Sequence, residues 1–347
     1  MTDAPNIDLA DYRAAADIHH RFLTGIILTL VMRKGEANAA ETIYRMFMQH
    51  HSEKFLPGLE LLGLKNLPDA VASAQYHYLS NFVGTVKVEY MYESDRKAWI
   101  RYPPPRWIFD GTAICGVPDA VTKAMMRGWH ARNGEALGNP RLRFVCTGMT
   151  TAGDPGLEGY FFEDDRPLEP DERLRFAPDE TAPPFDPSAA PEVDAATWPA
   201  ERLAKAERNY STDHVRTILQ VMIGLFGPDE ARALAGHAGR LVGMQYYDEI
   251  RDRLGIADTA AEGFAAFMTR LGQAMGDGSR WRRADGAILI EQSGCRLIRG
   301  VEAEAGAAFD AWAALWAGAC SVHDRRLSLI LTTRPEAGGG PWSWRLS

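Results

Sequence analysis

The sequence predicts an α+β fold in two tandem copies, each a helix pair with an antiparallel sheet and a crossing helix; three observations carry that expectation. A polar-apolar alternation, RLRFVCTGM then LEGYFF, is broken by Gly153-Asp154-Pro155-Gly156 and reads as a hairpin. A worn copy, RLSLILTTR, a glycine-rich turn and WSWRL, closes the chain. Between them, residues 167–199 are dense in Pro, Asp, Glu and Ala and offer little to bury, as expected of a surface linker, extended across one domain.

The remaining elements repeat in order. TGIILTLVMRKG, from Thr24 to Gly35, has its partner in TILQVMIGLFG, from Thr217 to Gly227. A second helix follows each, and Gly35 and Gly63 are 28 residues apart, as are Gly227 and Gly255. Next comes a short helix or loop, then a strand, KAWIRYPP in one half and GAILIEQSG in the other. An amphipathic helix then sets Trp129 opposite Trp316 before the hairpin. The expected organisation is an N-terminal α+β domain over residues 1–166, a linker over 167–205 and a C-terminal α+β domain over 206–347.

Composition narrows the partners. A net charge of −8 speaks against a polyanion partner, because neutralising phosphates takes clustered Lys and Arg. Neither GxxxxGK[ST] nor a strand-linked GxGxxG is written, so no nucleotide cofactor is expected, and no cofactor of any other kind. Cys115, Cys146, Cys295 and Cys320 lie far apart, without the spacing of a zinc ribbon or a redox pair. The acidic start and the shortness of the apolar run Phe22 to Met32, against the ~20 residues of a membrane span, point to a cytoplasmic protein with reduced thiols and no membrane partner. A small-molecule substrate is the expected partner, and a homo-oligomer is compatible with this composition.

The stretch GNPRLRFVCTGMTTAGDPGLEGYF, preceded by RGWHARNG, resembles the closing strands of the L-2-amino-thiazoline-4-carboxylic acid hydrolase-like family. More distantly, the element order is similar to the 4-vinyl reductase-like ligand-binding domains. The resemblance is best over residues 97–163 and fainter over 215–346. It implies a small mixed domain that binds a small molecule between helices and sheet, and a chemistry in which water opens a ring containing sulfur and nitrogen. Cysteines follow the first strand and flank the Gly-Asp turn in that family pattern. Here those places read Pro103-Pro104 in one half and Cys295 in the other, with Leu157 and Trp342 at the turns.

Candidate chemistry gathers in the first half. His130, on the crossing helix, is the expected acid-base group, since an imidazole titrates near neutrality. Cys115, in the turn-rich WIFDGTAICGVPDA before that helix, can gain thiolate character from a helix N-terminus, although free cysteines are more often buried hydrophobes. Asp110 and Glu158 are the carboxylates that could assist, whereas Asp154 is expected to bond its own turn. Arg101 and Tyr102 could anchor a substrate carboxylate, with Trp129 and Tyr90 lining the ligand. Tyr76 and Tyr78, like Tyr90 and Tyr92, are read as period-two pairs within an aromatic cluster that also includes Trp99 and Trp107. His50, His51 and Glu53 replace Val242, Gly243 and Gln245 of the second copy. That trio could serve a metal or an acid-base pair, although a solvated helix face explains it as well.

Three functions follow as expectations. The first is a cofactor-independent hydrolase or related lyase acting on a small heterocyclic or amide-like metabolite in the N-terminal copy, the second copy acting as a support. The second is a small-molecule-binding sensor without turnover. The third is a metal-dependent enzyme built on His50, His51 and Glu53.

Overall fold

The computed structural model describes residues 7–299, 305–334 and 341–347. The chain is an α+β protein with two sheets, and it divides into two compact units. The earlier unit is Leu30–Pro199; the later unit joins Ala200–Ser347 to the first residues up to Thr29. The linker segment 167–199 therefore belongs with the earlier unit, and most of the first helix belongs with the later one. None of the described helices is long and apolar enough to cross a membrane.

The first helix, α1 (Leu9–Lys34), starts where the Asp8 carboxylate accepts from the Ala10 and Asp11 amides at 2.8 and 3.1 Å. It ends at Gly35, whose φ of 80° lets the chain turn into α2 (Glu36–Leu61). In the earlier unit α3 (Asp69–Val83) lies on a sheet begun by β1 (Glu89–Ser94) and β2 (Lys97–Tyr102). The crossing helix is broken into α4 (Asp119–Gly128), a 3-10 turn at His130–Arg132 and α5 (Asn133–Leu137). The expected hairpin then forms as β3 (Leu142–Gly148) and β4 (Leu157–Glu163), with Asp154 accepting from the Met149 amide at 2.7 Å inside its turn. Strand order is β1-β2-β4-β3-β5, antiparallel except for its last pair.

That last strand, β5 (Leu174–Phe176), is a difference from the sequence expectation, because it comes from the linker and runs parallel to β3. The linker continues as a strap over the sheet face opposite the helices. There Ala177, Ala182 and Phe185 pack with Met91, Trp99, Val145 and Tyr160. Three of its polar ties are the Ala177 amide donating to the Cys146 carbonyl at 2.9 Å, the Tyr160 hydroxyl donating to Glu180 at 2.8 Å and the Ala182 amide donating to Glu158 at 3.1 Å. A segment poor in large apolar residues orders here by adding a strand and covering apolar surface it does not itself contain.

The later unit repeats the plan. Helix α6 (Ala200–Phe226) ends at Gly227, where φ is 82°, and α7 (Pro228–Arg253) runs to Gly255. Then come α8 (Ala261–Met275), β6 (Ser279–Ala284), β7 (Ala287–Gln292), a single crossing helix α9 (Ala305–His323), β8 (Leu329–Thr333) and β9 (Trp342–Leu346). Strand order β6-β7-β9-β8 matches β1-β2-β4-β3, and the irregularity at Cys146/Gly148 in β3 has its counterpart at Leu331/Thr333 in β8. The glycine-rich turn between β8 and β9 lies in 335–340, outside the described residues.

Candidate functional site

In the earlier unit four histidines are buried, His50 and His51 on α2, His77 on α3 and His130 at the helix break. Helical spacing places Ser73, His77 and Asn81 four residues apart along α3, a polar stripe on a helix that lies against β2 and β4. The His77 ring stacks on His130 at 4.3 Å with an interplanar angle of 14°, and on Phe161 at 5.4 Å. His77 Nδ1 and the Tyr102 hydroxyl are hydrogen-bonded at 2.7 Å. His51 Nε2 donates to the Asn133 side-chain oxygen at 3.0 Å, joining α2 to the start of α5. Trp129 stands edge-on to both His51 and His77.

Several polar atoms in this layer have no protein hydrogen-bond partner: His77 Nε2, both ring nitrogens of His130, Asn133 Nδ2, Ser73 Oγ and Trp129 Nε1. Buried polar atoms left without partners each cost about 1–3 kcal/mol, so a concentration of them in one place is unusual. Burial pushes the imidazoles down, His130 to about 3 with the Arg106 charge adding to the effect, His51 to about 4 and His77 well below its usual value. All three are neutral at pH 7 and offer one donor and one acceptor each. Arg106, 7% exposed, sets its guanidinium 4.8 Å from the centre of the Tyr102 ring and brings a positive charge to His130, as Arg132 does to His51.

Of the residues singled out from the sequence, His130, Tyr102 and Trp129 meet here. Tyr90 is buried nearby on β1, where its hydroxyl accepts from Gln75 at 3.3 Å and its ring leans on Tyr78. Arg101 and Glu158 do not join them. Strand alternation turns both to the strap face, where Arg101 pairs with Glu158 at 2.6 Å and with Glu89 at 3.0 Å. Glu158 also accepts from Thr147 at 2.9 Å, so the pair is used up in holding strands and strap together. Asp110 caps the 3-10 turn Gly111–Gly116 by accepting from the Gly111 amide, and Cys115 is exposed on that turn. Cys146 is buried in β3, and its thiol is pushed up to about 12 by burial.

Two local readings are corrected. Tyr76 and Tyr78 lie on helix α3, so a spacing of two turns them apart: Tyr76 packs with Phe55 and Trp129, Tyr78 with Tyr90. Glu53 is exposed and receives a hydrogen bond from Gln49, while His50 and His51 point into the core, so the trio does not converge. Among the described residues no three His, Cys, Asp or Glu side chains come together as metal ligands would. The side chain of Trp107 lies outside the described residues.

Sequence reasoning missed His77, Asn133 and Arg106. The signal for His77 was present as the Ser73, His77, Asn81 stripe at helical spacing; the burial of Arg106 in a loop of prolines had none. The later unit is also less bland than its sequence implied, since Thr269, Ser279 and Gln292 are buried there with polar atoms lacking partners. Compared with protein-family models, curated proteins and solved structures, the chain gives no match.

Proposed function

We propose that the earlier unit binds a small planar molecule, heterocyclic or amide-like, within the layer between its helices and sheet. The observation that carries this reading is the group of unpartnered polar atoms on His77, His130, Asn133 and Ser73, set among stacked rings. Stacked aromatic walls with a few fixed donors and acceptors suit a flat polar ligand. Neutral imidazoles beside a buried Arg106 favour an uncharged or singly anionic ligand over a cation. The test is a thermal-shift panel of planar heterocyclic amides and carboxylates on the full chain and on His77→Phe. Stabilisation of the native chain that disappears in the variant supports the reading; no stabilisation, or an equal one in both proteins, defeats it.

Hydrolase or lyase action on such a ligand is the second reading, favoured by His130, whose two ring nitrogens are both unengaged. Efficient proton transfer needs a pKa near the working pH, and burial holds His130 at about 3. Turnover therefore depends on the ligand itself, an anion beside His130 raising its basicity. Chromatographic assay of the same panel for ring opening, with His130→Phe as control, decides between binding alone and catalysis.

A further inference from the structure

In the later unit a buried arginine, Arg208, and a half-buried one, Arg296, bring two positive charges together. Arg208 on α6 is 6% exposed, and no carboxylate among the described residues forms an ion pair with it. Its Nε donates to Asn209 at 2.9 Å and its Nη1 caps the α8 terminus at the Ala274 carbonyl. Arg296, on the 3-10 turn after β7, makes no side-chain hydrogen bond or ion pair among the described residues, although its backbone amide donates to Asp277 Oδ1 at 2.9 Å. Both guanidiniums converge on Gly276: a β-carbon there would lie 3.4 Å from Arg208 Nη1 and 3.4 Å from Arg296 Nη1. The two nitrogens are thus no more than about 7 Å apart, close enough for one oxyanion to bridge.

Like charges this close repel, and the repulsion is felt: burial and the Arg296 charge lower Arg208 to about 10. The local carboxyl is a poor counter-ion, because burial pushes Asp277 up to about 7 despite the arginines around it. Isolated buried cations are costly, whereas guanidiniums paired with a carboxylate or phosphate form charge-assisted, often bidentate bonds.

We propose that Arg208 and Arg296, above Gly276, form an oxyanion-binding site in the later unit for a carboxylate or phosphate group of a small molecule. Asp277 holds the Arg296 backbone in place and competes for the same guanidiniums. The site belongs to the later unit and holds its ligand through guanidiniums, whereas the layer of the earlier unit offers stacked rings and neutral imidazoles.

Isothermal titration of the full chain with inorganic phosphate and, separately, with succinate tests it, with potassium chloride at matched ionic strength as the control. Saturable binding of one equivalent is expected, phosphate or succinate identifying which oxyanion the site prefers. Arg296→Gln should weaken that binding about tenfold or more, and Asp277→Asn should tighten it. Should Arg296→Gln fail to fold, Arg296→Lys keeps the charge without the fork and should still bind more weakly. Binding no stronger than the chloride control, or unchanged in the arginine variants, overturns the proposal.

Discussion

Imidazoles held neutral by burial make the molecule acid-sensitive in a defined way. His19 and His51 sit at about 4 and His20 and His130 at about 3, all with burial as the largest cause. Each is lower in the fold than the ~6.5 of an unfolded chain, so the unfolded state binds more protons between those values. Their contribution is fully present above pH ~6.5 and is lost as pH falls toward 4 and 3, at about 1.4 kcal/mol per pH unit for each imidazole. Urea midpoints measured from pH 7.5 to 4.5 should fall steeply, and His130→Phe should remove about one proton from the slope. An unaltered slope in that variant would show that His130 is not a neutral buried ring. Asp277 works in the opposite direction: raised to about 7, it favours the fold at low pH and loses that contribution as pH rises through 7. Asp277→Asn keeps an acceptor for the Arg296 amide, so it should stabilise the chain more at pH 8 than at pH 5, by denaturant titration at both.

At the level of elements, the two copies differ most where the second helix meets the crossing helix. In the later unit α7 and α9 approach through glycines: a β-carbon on Gly243 would lie 2.1 Å from the Leu315 carbonyl oxygen, one on Gly239 2.8 Å from that of Ala311, and one on Gly318 2.2 Å from that of Arg240. Counted from the matched glycines Gly35 and Gly227, the places of Gly239 and Gly243 are taken in α2 by Phe47 and His51. Such bulk cannot sit in a close helix contact, and only Gly128 of α4 keeps one, against the Tyr44 carbonyl oxygen. The crossing helix accordingly breaks at Trp129, and His51 reaches Asn133 beyond the break. Gly243→Ala should therefore cost about 1–3 kcal/mol by overpacking, read from the urea midpoint. Wild-type stability in that variant would mean the helices can move apart freely.

How much of this was legible follows from which forces act locally. Helices, hairpins and the duplication were readable, because period, turn residues and matched glycines are written in short windows. His130, Tyr102 and Trp129 were picked by residue type and do meet. Arg101 and Glu158 were misplaced as site residues because their facing registers, Arg101 opposite Glu158 and Glu89, depend on strand pairing far along the chain. Cys115 had the composition of an activated thiol, but its exposure on a short turn leaves it apart from the buried imidazoles.

On the scale of the whole molecule, the later unit is discontinuous in sequence. Asp11, 0% exposed, accepts from Arg270 at 2.6 Å, His19 stacks on Trp312 at 5.1 Å, and Arg21 binds Glu249 through two 2.7 Å bonds. Asp11→Asn should cost about 2 kcal/mol, since it leaves a partly buried guanidinium with a weaker partner. Thermal denaturation followed by near-ultraviolet circular dichroism checks this, and a variant as stable as the native chain would make the pair dispensable.

Synthesis proceeds from the N-terminal side, so α1 emerges some 170 residues before the segment that completes its unit. At translation rates of about 5–20 residues per second, that interval lasts roughly ten to thirty seconds. During it the earlier unit can close, while Phe22, Ile26 and their neighbours, destined to be wholly covered, wait in water. The nascent chain thus carries an unshielded apolar helix while the whole earlier unit is made, and chaperone dependence should map to α1.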